Sequence, residues 1–212
     1  MLYLYYTSYY INIIITYYFK YVNKNYYFLT KKFRNTAFGA KMILGLDVST
    51  SRIGWAVIEE DGTYVDSDFF KTKAKTPLEE RAEDLEKKVI EPLFAKYRIT
   101  EVRIEEPFSM FSGGKTTAKT MSSLQRFNGM VSLLAHQHLG KPPTLVGATT
   151  ARSRCGIKVP RGTKAKVVVL EWVNENIDGF LMEYTRHGNP KPGLDDEADA
   201  IVVAMSHFDV RD

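Results

Sequence analysis

Four carboxylates in this 212-residue chain, Asp47, Glu105, Asp196 and Asp199, stand where regular elements should end or begin. Asp47 closes the apolar run ILGLD (43–47) and Glu105 closes VRIE (102–105), whereas Asp196 and Asp199 open an apolar segment at a spacing of three, which puts both on one face of a helix. If the first and fourth strands are neighbours, as sheet crossovers permit, all four acids reach one edge of the fold. Oxygen-only ligands suit a hard cation such as Mg²⁺, with Mn²⁺ an acceptable substitute, and such an ion keeps waters and binds substrate phosphate as well. Two such ions about 4 Å apart can activate a water and stabilise the leaving oxygen of a phosphodiester. Taken singly, each acid reads more simply as a turn or cap residue, so the chemistry rests on the set.

The elements that must position them read clearly from Met42 onward. Met42 to Asp47 has the character of a buried strand, a Ser/Thr-rich turn leads to a second strand at 54–58, and a hairpin signal at 60–63 leads to a third at about 64–71. Thr76 then reads as an N-cap with Pro77 at the first helical position and Glu79 completing a capping box. Leu78, Ala82, Leu85 and Val89 form the buried face of that helix. A fourth strand ends at Glu105, a helix runs from Met121 to His138, and Thr144 to Gly147 is a short fifth strand. Helices at about 164–176 and 196–207 follow, separated by a polar Gly/Pro loop. The order is that of an α/β protein with a five-stranded mixed sheet flanked by helices.

The ordered set carries a resemblance. ILGLDVSTSRIGW (43–55) resembles the opening strand and turn of RuvC-type Holliday junction resolvases, RIEEPF (103–108) their second acidic motif, and DEADAIVVAMSH (196–207) their closing helix. The motifs occur in the family's order across 42–207. The resemblance implies an RNase H-like fold and Mg²⁺-dependent endonucleolytic cleavage of four-way DNA junctions, with two ions held by Asp47, Glu105, Asp196 and Asp199. It also implies that Phe108 stacks on an unpaired base at the junction and that Lys164, in GTKAKV (162–167), lies near the scissile phosphate. There it would counter charge growing on the phosphoryl oxygens. Arg152 or Arg154 falls near another basic position of the family. The loop 178–194 is longer than the bacterial pattern, and Glu106 and Asp195 place extra carboxylates beside the expected ligands.

Charge is distributed unevenly. The chain carries 29 Lys and Arg against 25 Asp and Glu, but residues 1–41 contribute six basic residues and no acid, which leaves the body at 23 against 25. Within that body residues 107–170 contain no acid and ten bases: Lys115, Lys119, Arg126, Lys141, Arg152, Arg154, Lys158, Arg161, Lys164 and Lys166. Ordinary surfaces intersperse both signs, so this block is read as facing a polyanion, and all of these residues except Lys141 are taken, with Phe108, as the candidate DNA contacts. The lone cysteine, Cys155, excludes a disulfide framework and a cysteine-rich zinc site, which fits an intracellular protein, cytoplasmic or otherwise located with DNA. Residues 1–29 hold ten of the 13 tyrosines. Residues 1–41 are therefore read as a Tyr/Lys-rich leader, disordered or not natively translated, and 42–212 as the nuclease domain. The leader is too polar to be a good membrane anchor, and organellar targeting by it stays open.

Two other functions compete. A different RNase H-like nuclease, acting on branched or hybrid nucleic acid without junction specificity, would share the metal site. An actin-like kinase or ATPase fragment would also begin with a strand, an Asp and a Gly/Ser/Thr turn, but it has no use for the acid-free basic block. Cutting both strands of a four-way junction calls for two equivalent sites and hence a homodimer. The helix 121–138, with Met121, Leu124, Phe127, Met130, Val131 and Leu134, is the expected contact surface. His136 and His138, two apart on that helix, diverge by about 200° and read as surface residues.

Overall fold

The computed structural model describes residues 40–107 and 117–208. The expectations for the leader up to residue 39, for Phe108 and for Lys115 lie outside these residues. Five strands, β1 (Met42–Val48), β2 (Arg52–Glu59), β3 (Tyr64–Lys71), β4 (Ile99–Glu105) and β5 (Thr144–Val146), form one sheet in the order β3-β2-β1-β4-β5. β2 is antiparallel to both β1 and β3, whereas β4 runs parallel to β1 and to β5. The five-stranded mixed sheet is the one expected, and the first and fourth strands are indeed neighbours.

Period-two alternation sorts the central strands between two layers. Leu44, Leu46 and Val48 of β1, Ile53 and Val57 of β2, and Val102 and Ile104 of β4 point to one face. There they meet Ala82 and Leu85 of α1 (Leu78–Leu85), Leu93 of α2 (Glu91–Lys96), and Phe127 and Val131 of α3 (Ala118–Leu139). The other face carries Ala56 of β2 and is covered by α4 (Ala148–Arg154), α5 (Ala165–Asn176) and α6 (Leu194–Met205). Gly45, Asp47, Gly54, Arg103 and Glu105 fall on this second face by the same alternation. No helix among the described residues is long and apolar enough to cross a membrane.

Several details depart from the sequence reading. Pro77, not Thr76, occupies the N-cap of α1, and no side chain caps it. Thr76 Oγ1 donates backwards to the Lys73 carbonyl and Glu79 accepts from Arg126, so no capping box forms. α1 runs into α2 through a π turn, Glu86–Ile90, and α4 is a short helix where none was expected. The apolar residues of α3 expected to form a dimer surface are largely spent on the chain's own core. Met121, Phe127 and Val131 are buried, because their spacing aims them at the sheet. The large apolar side chain of that helix left exposed is Leu133.

Candidate active site

Asp47 is the only residue of β1 that keeps partial exposure, at the carboxyl end of an otherwise buried central strand. The parallel pairing of Leu46 with Ile104 sets Asp47 beside Glu105 at the ends of adjacent strands. Asn128 of α3 donates to the Glu105 carbonyl at 2.9 Å and fixes that strand end. α6 is brought against the same edge by two glycines. A Cβ added at Gly54, the partner of Asp47 across β1 and β2, would lie 2.0 Å from the carbonyl oxygen of Asp196. One added at Gly45 would lie 2.3 Å from the Ala200 carbonyl oxygen. Only hydrogen at both positions lets the first turns of α6 settle on the sheet, where Asp196 and Asp199 join the two strand-end acids. Gly193, with φ of 105°, supplies the left-handed N-cap that starts this helix.

The electrostatics follow from this crowding. Burial, followed by repulsion from Glu105 and Asp199, raises the proton affinity of Asp47 well above the usual carboxylate range. Burial and then Asp199 push Glu105 up to about 7, and burial carries Asp199 up to about 6 against the opposing pull of Lys166. Lys166 answers the negative charge: its Nζ lies 2.9 Å from Asp196 Oδ1, 3.2 Å from Asp195 Oδ2 and 3.6 Å from Asp199 Oδ2. Burial opposes its charge, but the hydrogen bond to Asp196 and the surrounding acids outweigh this and raise its proton affinity. Arg152, which lowers the proton affinity of Glu105 and Asp199, is a second positive neighbour.

The donor set fits a hard divalent cation. Every donor is a carboxylate oxygen, and burial, with repulsion between the acids, leaves Asp47, Glu105 and Asp199 holding protons more tightly than usual, which a bound cation would relieve. Asp196 Oδ2 is a buried acceptor without a well-aligned donor: Arg52 Nε is 2.9 Å away, an ion contact whose N–H direction misses hydrogen-bond geometry. Asp47, Glu105, Asp196 and Asp199 are thus the residues that could hold the metal. Asp195, the extra acid of the motif, is partly exposed and paired with Lys166, and Glu106 is exposed.

The basic candidates separate. Lys166, not Lys164, reaches the carboxylates; Lys164 is the exposed N-cap of α5, two residues earlier and outside the helix. Arg154 is partly buried and donates to the Ser206 carbonyl at 3.0 Å at the far end of α6, which braces the fold. Lys119, Lys158 and Arg161 are exposed, and Arg126 is exposed in a surface pair with Glu79. Arg52 was not singled out by the sequence reading, because nothing local marks an arginine in a Ser/Thr turn as the partner of an acid 144 residues later.

Comparison with known proteins bears on the family and the fold. The family model described as crossover junction endodeoxyribonuclease RuvC matches residues 43–207. The chain belongs to this family. Among RuvC relatives, the crossover junction endodeoxyribonuclease of Azorhizobium caulinodans is 26% identical over 181 residues, covering 80% of this chain and 90% of that protein. The one from Aliarcobacter butzleri is 32% identical over 101 residues, covering 46% of this chain and 61% of that protein. Among solved structures, Thermus thermophilus RuvC in complex with a Holliday junction substrate matches with a TM-score of 0.56 at 20% identity, over 79% of this chain and 92% of its own. The yeast mitochondrial Holliday junction resolvase Ydc2 matches with a TM-score of 0.51 at 15% identity, over 80% and 78%. At these identities the two structures establish the fold of the RuvC chain, a five-stranded mixed sheet with flanking helices.

Proposed function

We propose that this RuvC-family chain resolves four-way DNA junctions by Mg²⁺-dependent hydrolysis of a phosphodiester. The observation that carries the reading is the meeting of Asp47, Glu105, Asp196 and Asp199, drawn from three separate elements, beside Lys166 and Arg152 within a chain whose residues 43–207 match the RuvC model. Asp47, Glu105, Asp196 and Asp199 would hold two Mg²⁺ ions, or Mn²⁺ in their place. The ions would supply an activated water and neutralise the leaving oxygen. The chain's own residues do the rest. The four acids repel a phosphate backbone until they are neutralised, so DNA binding and metal loading are coupled at this edge. Arg152 and Lys166 add fixed positive charge where negative charge grows in the transition state. Lys119, Arg126, Lys158, Arg161 and Lys164 lie exposed on the elements that follow β4 and offer contacts to the junction arms. Phe108 and Lys115 stay as proposed contacts with an unpaired base and with phosphate.

The test is cleavage of a labelled four-way junction in Mg²⁺ and in EDTA by the parent chain, Asp47→Asn and Glu105→Gln. Both variants should lose cleavage and keep junction binding, or bind more tightly, because each removes one repelling charge. Near-parental turnover in either would sink the site. The same reading calls for a homodimer, since paired incisions need two acidic clusters related by a twofold axis. Equilibrium sedimentation at micromolar concentration, with and without junction DNA, should show two chains. A strict monomer in both would favour a branched-DNA nuclease that makes single cuts.

A further inference from the structure

On the opposite side of the sheet from α6, a second group of metal-binding side chains is assembled by a feature of the helical path. Glu86 and Glu91 are five residues apart; in a regular α-helix that spacing turns side chains about 140° away from each other. The π turn Glu86–Ile90 widens the helix between them and brings both carboxylates round to one side. His138 arrives there from α3, and one ligand atom from each of Glu86, Glu91 and His138 lies within 4.8 Å of the others. The imidazole is held in place: its Nε2 sits 2.9 Å from Glu86 Oε1 and its ring lies 5.3 Å from that of Phe94. Glu86 and His138 are half-buried and Glu91 is exposed, which leaves one side of the group open to water. Two carboxylates this close repel each other, and the neighbouring lysines do not relieve them: Lys87 and Lys88 pair with Glu83 and Asp84. His138 lies ten residues beyond Asn128, the α3 residue tied to Glu105, or about 15 Å further along the helix axis. The group is therefore separate from the acidic edge.

We infer that Glu86, Glu91 and His138 bind one divalent transition-metal cation of the Zn²⁺ type, clipping the π turn between α1 and α2 to the end of α3. One imidazole with two carboxylates is a donor set for a borderline cation with open positions for water, and imidazole disfavours Mg²⁺. The inference is independent of the nuclease reading.

The experiment is Zn²⁺ titration of the full chain by calorimetry, with Mg²⁺ in large excess to occupy the all-oxygen site, paired with thermal melting with and without Zn²⁺. The parent should bind one Zn²⁺ per chain and melt higher in its presence. Glu91→Gln and His138→Ala should each weaken binding by at least about tenfold, the least expected when removing even a group that only supports a ligand costs that much, and should abolish the Zn²⁺-dependent rise in melting temperature. Glu91→Gln, exposed and isosteric, decides the matter if His138→Ala fails to fold. Absence of Zn²⁺ binding in the parent, binding unchanged in Glu91→Gln, or variants that shift melting equally with and without Zn²⁺ would each overturn the inference.

Discussion

Gly54 offers the sharpest test of how the fold builds the site. Replacing it with alanine adds one carbon, and that carbon would stand 2.0 Å from the Asp196 carbonyl oxygen and 2.4 Å from its carbonyl carbon, where real Cβ atoms essentially never come within 3.0 Å. The obstacle is helix backbone, not the end of a flexible side chain, so the start of α6 and β2 must separate by about 1 Å before Gly54→Ala can fold. Overpacking of this kind costs about 1–3 kcal/mol. At about 2–4 °C per kcal/mol for a domain of this size, the melting temperature should fall accordingly. The same displacement moves the backbone of Asp196 away from Asp47, and a misplacement of about 1 Å at a reacting centre can cost on the order of 10²-fold in rate. Gly129, itself exposed on α3 with nothing within 4 Å of an added Cβ, is the control. Gly129→Ala should stabilise the chain by up to about 1 kcal/mol and leave cleavage unchanged. The assay is single-turnover cleavage of a four-way junction in saturating Mg²⁺, normalised to folded protein by a thermal melt at the assay temperature. Parental melting and a parental rate in Gly54→Ala would refute the claim that this contact sets the position of Asp196.

Other perturbations probe the same edge. Lys166→Met should lower the melting temperature in EDTA more than in Mg²⁺, since the cation replaces the lost charge, and should slow junction cleavage at least about tenfold, while Lys164→Met leaves melting unchanged. Equal effects of the two substitutions would undo the assignment of Lys166. Glu105 and Asp199, at about 7 and about 6, bind protons more tightly than their ordinary values of 4.5 and 3.8, so the folded state holds more protons than the unfolded one in between. Stability in EDTA should therefore decline as pH rises from about 4 to about 7, and Mg²⁺ should flatten the decline; a melting temperature that climbs across this window in EDTA would contradict the arrangement. A chain beginning at Met42 should stay folded and cut junctions as well as the full chain, and a soluble but inactive product would show that the leader takes part.

Much of this was legible in the sequence because the signals were local. Strand ends, the period-two alternation of β1 and the spacing of Asp196 and Asp199 are properties of a few consecutive residues. What escaped involves partners far apart or choices between equal local options. Lys164 and Lys166 differ only in which side of the α5 cap they fall, and the helix begins after the first. Arg154 sits in the basic block like its neighbours, but the nearby end of α6 offers it a backbone carbonyl. α4 was missed because ATTARSR is only seven residues long, and its Thr and Ser weaken the helical preference of its Ala and Arg. The π turn has no local signature, so the meeting of Glu86, Glu91 and His138 was hidden even though His138 itself drew attention.

Both ends of α6 are pinned. At its start the backbone rests on Gly54; at its end Ser206 is held by the buried Arg103 guanidinium at 3.2 Å through its hydroxyl and by Arg154 through its carbonyl. Asp47 and Glu105 sit at the ends of the two strands beneath it, which are themselves paired in parallel. The acids thus form a fixed template with little freedom to follow a phosphate, and in any encounter it is the nucleic acid that has to bend. If the chain resolves junctions as proposed, deformability of the DNA at the point of exchange, a property of its branched shape and of its base steps, would then become part of what the protein selects, even at positions that no side chain touches.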